Sequence, residues 1–271
     1  SRAIARANHS IDHTSLPQDL RQVTISNVDE LIDKHGGMHV VVATTPCQGL
    51  SSANAKGSGL QDHRSSLFYK AMDIIEHLRK RHPGTRFVVE NVDFRKSHPR
   101  DYAEVCARLG TPEFIDARHT SGANRKRLFW HNLGQEQPRH REGDAPQDAN
   151  TLLEQGATLK GGATTAPCIM ATWACKHKAC QGDRRGTTVC TEPHAHAEWH
   201  HMNTHAPVTV MQHGRPRNLR PEEAERLMGL PTGYTSTARD PEGANTPVPD
   251  LLRMQRIGGG IDIRSTRTLV R

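Results

Sequence analysis

No run of apolar residues in this sequence approaches the roughly 20 needed for a membrane-crossing helix, and none of the charged-then-apolar type stands near its start. Membrane spanning and a secretory leader are therefore not expected. Aromatic residues make up only 4% of the 271 positions and hydrophobic residues 34%, with a mean hydropathy of −0.70. Core material is thin, so long polar loops around a modest core are expected. The six cysteines, Cys47, Cys106, Cys168, Cys175, Cys180 and Cys190, follow no regular disulfide spacing. A reducing, intracellular setting is expected from this, nuclear if the source is eukaryotic. No internal repeat is visible. What the chain does carry is basic charge: a formal +7 and a pI near 9.3, which favours a polyanionic partner without proving one.

Periodicity divides the chain. Met38–Ala43 is a short β-branched run that reads as a buried parallel strand. After a loop rich in Pro, Gly and Ser, Leu67, Ala71, Ile74, Ile75 and Leu78 recur at helical spacing and stop before Pro83-Gly84. Phe87–Val89 is the next strand, completing a βαβ unit with an expected right-handed crossover. Tyr102, Val105, Cys106 and Leu109 mark a second helix, closed by Gly110. Glu113–Ala117 and Arg127–Leu133 read as strands, antiparallel because their connection is too short for a crossover helix. Between Gly134 and about Ala206 the periodicity fades. Order returns at Asn218–Gly229, a short helix with Pro221 at its start and Gly229 past its end. The expected division is therefore a core over 1–133, a loop-rich lobe over 134–206, and a return to the core over 207–271.

Three chemistry-bearing sequences fall at strand ends, where open α/β sheets bind their ligands. Thr45-Pro46-Cys47-Gln48-Gly49-Leu50-Ser51 follows the first strand, Glu90-Asn91-Val92 ends the second, and Asn124-Arg125-Lys126-Arg127 opens the last. Singly, each has a plain structural reading: a buried thiol, a satisfied ion pair, a charged face. Together they place a thiol, a carboxylate and guanidinium groups in one crevice. Cytosine is a poor nucleophile at C5, and a thiolate adding to C6 converts C5 into a carbanion equivalent. A carboxylic acid at N3 eases that addition, and an arginine can hold the base oxygen and the phosphate.

Pro46-Cys47-Gln48, Glu90-Asn91-Val92 and Arg125-x-Arg127 resemble, in order, the nucleophile, acid and arginine motifs of DNA cytosine-5 methyltransferases, most nearly the de novo type. The stretches ATTPCQGLSSAN, GLQDHRSSLFYKAMDIIEHL and SGANRKRLFWHNL are similar to their counterparts there. Gln18–Arg21 resembles the stretch whose Asp meets the adenine of S-adenosylmethionine, and RPEEAERLMGLPTGYT the helix-and-proline element after the recognition lobe. The likeness covers most of 18–133 and 207–270.

This resemblance implies an open, mostly parallel Rossmann-like α/β sheet with a small loop-rich target-recognition lobe. It implies base flipping and covalent attack by Cys47 with Glu90, Arg125 and Arg127 assisting. It further implies S-adenosylmethionine as cofactor, met by Asp19, Leu20, Pro46, Gly259 and Ile261. DNA is the implied partner, touched by Ser51, Asn54 and Arg125, and a partner methyltransferase subunit is a further expectation. Two features depart from the family pattern. The Phe-x-Gly-x-Gly turn and the acidic strand end that hold the rest of the cofactor are absent, and Ser1–His9 is similar to a helix tail just beyond them. The chain therefore reads as a piece with its amino-terminal cofactor strands missing, with a poorly protected strand edge, weak cofactor binding and little activity expected of it alone. In the last motif Gly258 fits, but Gly259 lacks the expected side chain and Arg264 stands in place of Pro. A catalytically silent regulatory subunit and an RNA cytosine methyltransferase remain alternatives.

Cys175, Cys180, Cys190, His194 and His196, with His200, His201 and His205 beyond, form a Cys/His-rich stretch in the variable lobe. Its ligand spacing is irregular for zinc. A His-rich, DNA-facing loop without metal is the preferred reading, with Lys176, Lys178, Arg184 and Arg185 suited to phosphate contact or to plain solvation.

Overall fold

The computed structural model describes residues 2–9, 17, 19–52, 54, 57–134, 147–169 and 209–269. The Cys/His-rich stretch from Cys175 to His205 lies outside the described residues.

The expected βαβ unit is formed. Strand β1 (Val40–Thr44) runs parallel to β2 (Arg86–Val92), in register from Val40 opposite Arg86 to Thr44 opposite Glu90. Helix α3 (Leu67–Arg81) joins them and buries Phe68, Ala71, Met72, Ile75 and Leu78, the three- and four-residue spacing of one helical face. It stops at His82, whose N–H still reaches Leu78 O, because Pro83 has no N–H to continue the ladder. Before it, α1 (Arg2–Asn8) and α2 (Ile25–His35) stand on the amino-terminal side. Helix α2 begins in a capping box between Thr24 and Asn27 and ends at Gly36, whose φ of 70° suits a residue without Cβ. Its Val28 and Ile32 pack against Leu78.

Helix α4 (Pro99–Leu109), closed by Gly110 as expected, leads to β3 (Glu113–Asp116). Strand β4 (Lys126–His131) then inserts between β2 and β3, antiparallel to both, giving the order β1-β2-β4-β3. Three strands therefore run one way and one runs back. Because β4 is reversed, its first residues lie at the same edge as the last residues of β1, β2 and β3. One face of the sheet carries Phe87, Val89, Leu128 and Trp130 against α3 and α4. The other carries Val88, Ile115 and Phe129. Four of the chain's eleven aromatics beyond His (Phe68, Phe87, Phe94, Trp130) meet on the first face, with Trp130 edge-on to Phe68 at 5.7 Å between ring centroids. Strand β1 corrects the expectation of a buried strand. It is parallel, but it forms an edge of the sheet, with Val40 and Val42 53% and 57% exposed.

A second, three-stranded sheet has the order β5-β6-β7: Ala157–Leu159, Thr209–Gln212 and Arg215–Asn218. It pairs residues from both sides of the expected division at 206. Its hairpin tip is His213-Gly214, with φ of 50° and 71°, the positive pair that a tight two-residue turn requires. Asn218 closes β7, so the next helix, α5, is shorter than expected at Pro221–Leu227. Two of its carboxylates are fully buried yet satisfied. Glu223 accepts Arg217 at 2.7 and 2.8 Å and the amides of Glu154 and Arg220. Glu225 accepts Gly233 N, both Thr235 donors and Arg253. The pairing offsets a desolvation cost that a lone carboxylate would not survive. A two-stranded ribbon, β8 (Thr237–Arg239) with β9 (Asn245–Pro247), precedes α6 (Asp250–Gly258) and α7 (Ile263–Leu269).

Candidate active site at the carboxyl edge of the sheet

Cys47 lies three residues beyond β1, on a loop fixed from two sides. Asn91, at the end of β2, donates from Nδ2 to Thr45 Oγ1 at 2.8 Å and to Thr45 O at 3.3 Å. Ser65 Oγ donates to Pro46 O at 3.3 Å and accepts Gly49 N at 3.0 Å. Cys47 O in turn accepts the amides of Leu50 and Ser51, closing a tight turn around the thiol. Gly49 is required here, because a Cβ would lie 2.4 Å from Asp62 Cβ and 2.5 Å from Gly59 O. Cys47 is a free, half-buried thiol. Burial raises its pKa above the ordinary 9.0; Arg127 pulls it down, Glu90 pushes it up, and Arg125 pulls it down again. Burial wins, so the resting group is a thiol.

Glu90 and Arg127 form the centre of the edge. Glu90 pairs with Phe129 across the β2–β4 ladder, and Arg127 is its diagonal neighbour on the same face. Arg127 Nε reaches Glu90 Oε1 at 2.7 Å, with both side chains largely covered. That contact engages one carboxylate oxygen and fixes its plane. The thiol, carboxylate and guanidinium expected from sequence are thus brought together.

Arg125 is placed differently from its neighbour. It is 4% exposed, and its guanidinium donates to Ile169 O at 3.1 Å, Gly258 O at 3.4 Å and Gly260 O at 2.5 Å. Its Nε has no hydrogen-bond partner among the described residues. The group holds the glycine turn after α6 against the segment that opens β4. Desolvation by burial lowers its pKa below the ordinary arginine value. Asp262 supports the same junction by accepting Ser121 Oγ and the Ser265 amide.

The remaining expected residues are spread around the edge. Asn54 donates to Gln48 O at 2.8 Å, and Ser51 takes part in the turn at Cys47. Asp19 accepts both the amide and the guanidinium of Arg21. Leu20 packs with Val23, Val28 and Val41 on the α3 face, whereas Ile261 packs with Val88, Ile115 and Phe129 on the opposite face. Gly259 is exposed beside the carbonyls that Arg125 holds. Sequence reasoning missed Ser65 and Asp101. Asp101 accepts Leu60 N at 2.9 Å and anchors the far end of the nucleophile loop to α4. Neither belongs to a strand-end motif, and no local pattern in the sequence marks them.

The family model described as C-5 cytosine-specific DNA methylase matches residues 6–108, which include Cys47 and Glu90. Over that stretch, which is less than half of the chain, the sequence is similar to the C-5 cytosine-specific DNA methylases. Two curated relatives agree with the de novo-like placement. DNA (cytosine-5)-methyltransferase DRM2 of Arabidopsis thaliana is 32% identical over 68 residues, 25% of this chain and 11% of that protein. DRM2 of Oryza sativa is 32% identical over 62 residues, 22% and 10%. The matched stretches thus span about a tenth of these relatives' length. Among solved structures, the Entamoeba histolytica methyltransferase EhMeth aligns over 98% of this chain and 84% of its own, with a TM-score of 0.54 and 12% identity. A putative DNA modification methyltransferase from an E. coli prophage aligns over 93% and 83%, with a TM-score of 0.52 and 13% identity. These likenesses establish the Rossmann-like methyltransferase fold. None of the described helices is long and apolar enough to cross a membrane.

Proposed function

We propose that this chain carries the catalytic centre of a DNA cytosine-5 methyltransferase, with Cys47 as the covalent nucleophile. The observation that carries the reading is the convergence of Cys47, Glu90 and Arg127 at one edge, with Arg127 Nε 2.7 Å from Glu90 and both charges acting on the thiol. Inside a duplex, C5 and C6 of cytosine are stacked and out of reach, so the base must swing into this edge. Cys47 gives its proton to water and its sulfur bonds to C6, opening the C5=C6 double bond and moving its electron pair to C5. Glu90 presents its unengaged oxygen to the Watson–Crick edge of the ring, oriented by Arg127 on the other oxygen. S-adenosylmethionine, when bound, supplies the electrophilic methyl group that the activated C5 accepts. Loss of the C5 proton then expels the Cys47 sulfur and frees the base.

For the cofactor, Asp19, whose carboxylate accepts from Arg21, stands beside the apolar shelf of Leu20, an acceptor and shelf that would fit a purine whose exocyclic amine donates to the carboxylate. Pro46 would close against it from the nucleophile loop. Gly259 and Ile261 fit less well, since Ile261 is committed to the opposite face of the sheet. Arg125 acts as a positioning residue, and Ser51 and Asn54 shape the loop that would meet the target strand. The second sheet and the segment before it are assigned to target recognition, and the setting to the cell interior, nuclear in a eukaryote.

The test is a covalent trap. With S-adenosylmethionine and a duplex carrying 5-fluorocytosine, the fluorine replaces the proton that must leave, so the adduct persists. The expected result is a denaturation-resistant complex through Cys47 that is absent in Cys47→Ser. An adduct surviving in Cys47→Ser overturns the assignment, as does none with the unaltered protein in the presence of saturating cofactor and DNA.

A further inference from the structure

The loop between β2 and α4 places a row of cations against the nucleophile loop. Residues 95–100 read Arg-Lys-Ser-His-Pro-Arg. This loop and the nucleophile loop are one unit: Ser97 Oγ donates to Leu50 O at 3.4 Å, and Asp101 accepts Leu60 N at 2.9 Å. A Cβ on Gly59 would lie 1.9 Å from Asp101 Oδ2, which shows how closely the two segments approach. Lys126, at the start of β4, falls at the same edge and acts electrostatically on Asp93.

The charges of this rim are unevenly compensated. Asp93 is occupied by the amide and guanidinium of Arg95, which also stacks over Phe114 at 4.6 Å from the ring centroid. Asp116 is occupied in the same way by Arg118. Lys96, Arg100 and Lys126 are exposed, and none makes an ion pair among the described residues. Elsewhere on the same layer, Arg81 and Arg108 of the outer helices each hold two carboxylates. Exposed cations with no ion pair among the described residues, carried on segments packed beside the nucleophile loop, suit a ligand bearing regularly spaced single negative charges.

We infer that Lys96, Arg100 and Lys126 form a phosphate-contacting rim that grips the nucleic-acid backbone flanking the target base. The inference rests on the proposed DNA reading and extends it to a surface outside the reaction centre. Each phosphate contact releases condensed counterions, so affinity falls with salt by about 0.9 logarithmic units per tenfold rise in salt for each contact on duplex DNA.

The experiment is a titration of a fluorescent cytosine-containing duplex at several salt concentrations, with the whole chain and with Lys96→Gln, Arg100→Gln and Lys126→Gln combined. The expected result is a salt slope shallower by about 2 to 3 in the triple variant. Lys80→Gln, at the carboxyl end of α3 and the opposite edge of the sheet, should keep the original slope. The 5-fluorocytosine adduct should still form with the triple variant at low salt, since no reacting group is changed. A triple variant that binds with the unaltered slope overturns the rim and leaves this surface to an acidic protein partner, while the trap decides the reaction separately. Absence of salt-dependent binding by the unaltered chain overturns both.

Discussion

Two arginines that stand two residues apart should fail in opposite ways. Arg125 is 4% exposed and spends its guanidinium on the carbonyls of Ile169, Gly258 and Gly260. Arg125→Ala removes a charged donor worth about 1.5–3 kcal/mol per hydrogen bond and leaves buried carbonyls open. Against this stands the relief of a buried charge, so the net loss for a buried charged group deprived of its role is set at about 3–5 kcal/mol. For a chain of this size each kcal/mol moves Tm by roughly 2–4 °C, giving a fall of about 6–20 °C by differential scanning fluorimetry. Arg125→Met, which fills the space without the charge, should fall less. Arg127 has one carboxylate partner at a partly open edge. Arg127→Ala should therefore shift Tm by only a few degrees while the 5-fluorocytosine adduct disappears. Melting of Arg125→Ala within about 2 °C of the unaltered chain, or of Arg127→Ala below Arg125→Ala, would refute a structural role for Arg125 and a chemical one for Arg127.

Three further outcomes are expected. Alkylation of Cys47 by iodoacetamide should accelerate about tenfold per pH unit through neutrality and reach half-maximum above pH 9.0, because burial raises the thiol; a plateau below pH 8 would show an activated thiolate instead. For stability, a raised folded pKa means that the Cys47 contribution is present below the unfolded pKa and is lost as pH rises through the folded one. Glu90→Gln keeps the shape but not the titratable group, and single-turnover methylation should drop by about two orders of magnitude or more, with equal rates excluding a chemical role. Gly122→Ala should lower Tm by several degrees, because Gly122 has φ 70° and its Cβ would lie 2.5 Å from Gln147 O and 2.8 Å from Ala149 N; unchanged melting would show that the segment from Gln147 is free to move away.

The site was more legible than its surroundings, for a physical reason. Cys47, Glu90 and Arg127 sit at strand ends, and the order of strands in an open sheet brings such ends together. Their neighbours depended on contacts that no local pattern encodes. Arg125 precedes β4, so the alternation of the pleat does not decide its direction; the carbonyls of Gly258 and Gly260, more than a hundred residues away, do. The Val40–Val42 run signalled a strand by its β-branched residues, yet such a run reads alike whether buried or at an edge, and here it is at an edge. Strands β6 and β7 fall within the expected return to the core and give no strand signal of their own, because each is four residues long and β7 contains Pro216. The pairing of β6 with β5 joins stretches about fifty residues apart, and periodicity does not register that distance.

The chemistry at the edge is arranged as a conflict that a substrate would resolve. Cys47 is held as a thiol mainly by burial, with Arg127 opposing burial and Glu90 reinforcing it. The guanidinium that would stabilise a thiolate is meanwhile engaged by the carboxylate at 2.7 Å. In the proposed reaction, a cytosine entering between them would give Glu90 a second partner in the ring and Arg127 an oxygen acceptor, so less of the carboxylate's negative potential would reach the sulfur. Both changes favour the thiolate at the moment C6 comes within reach. Mutating the arginine alone should therefore slow alkylation of Cys47 in the empty protein, because its lowering influence is lost. Mutating the carboxylate alone should speed alkylation while slowing methylation. That opposite response separates a group that suppresses the resting nucleophile from one that merely supports the loop, for which both reactions would change in the same direction.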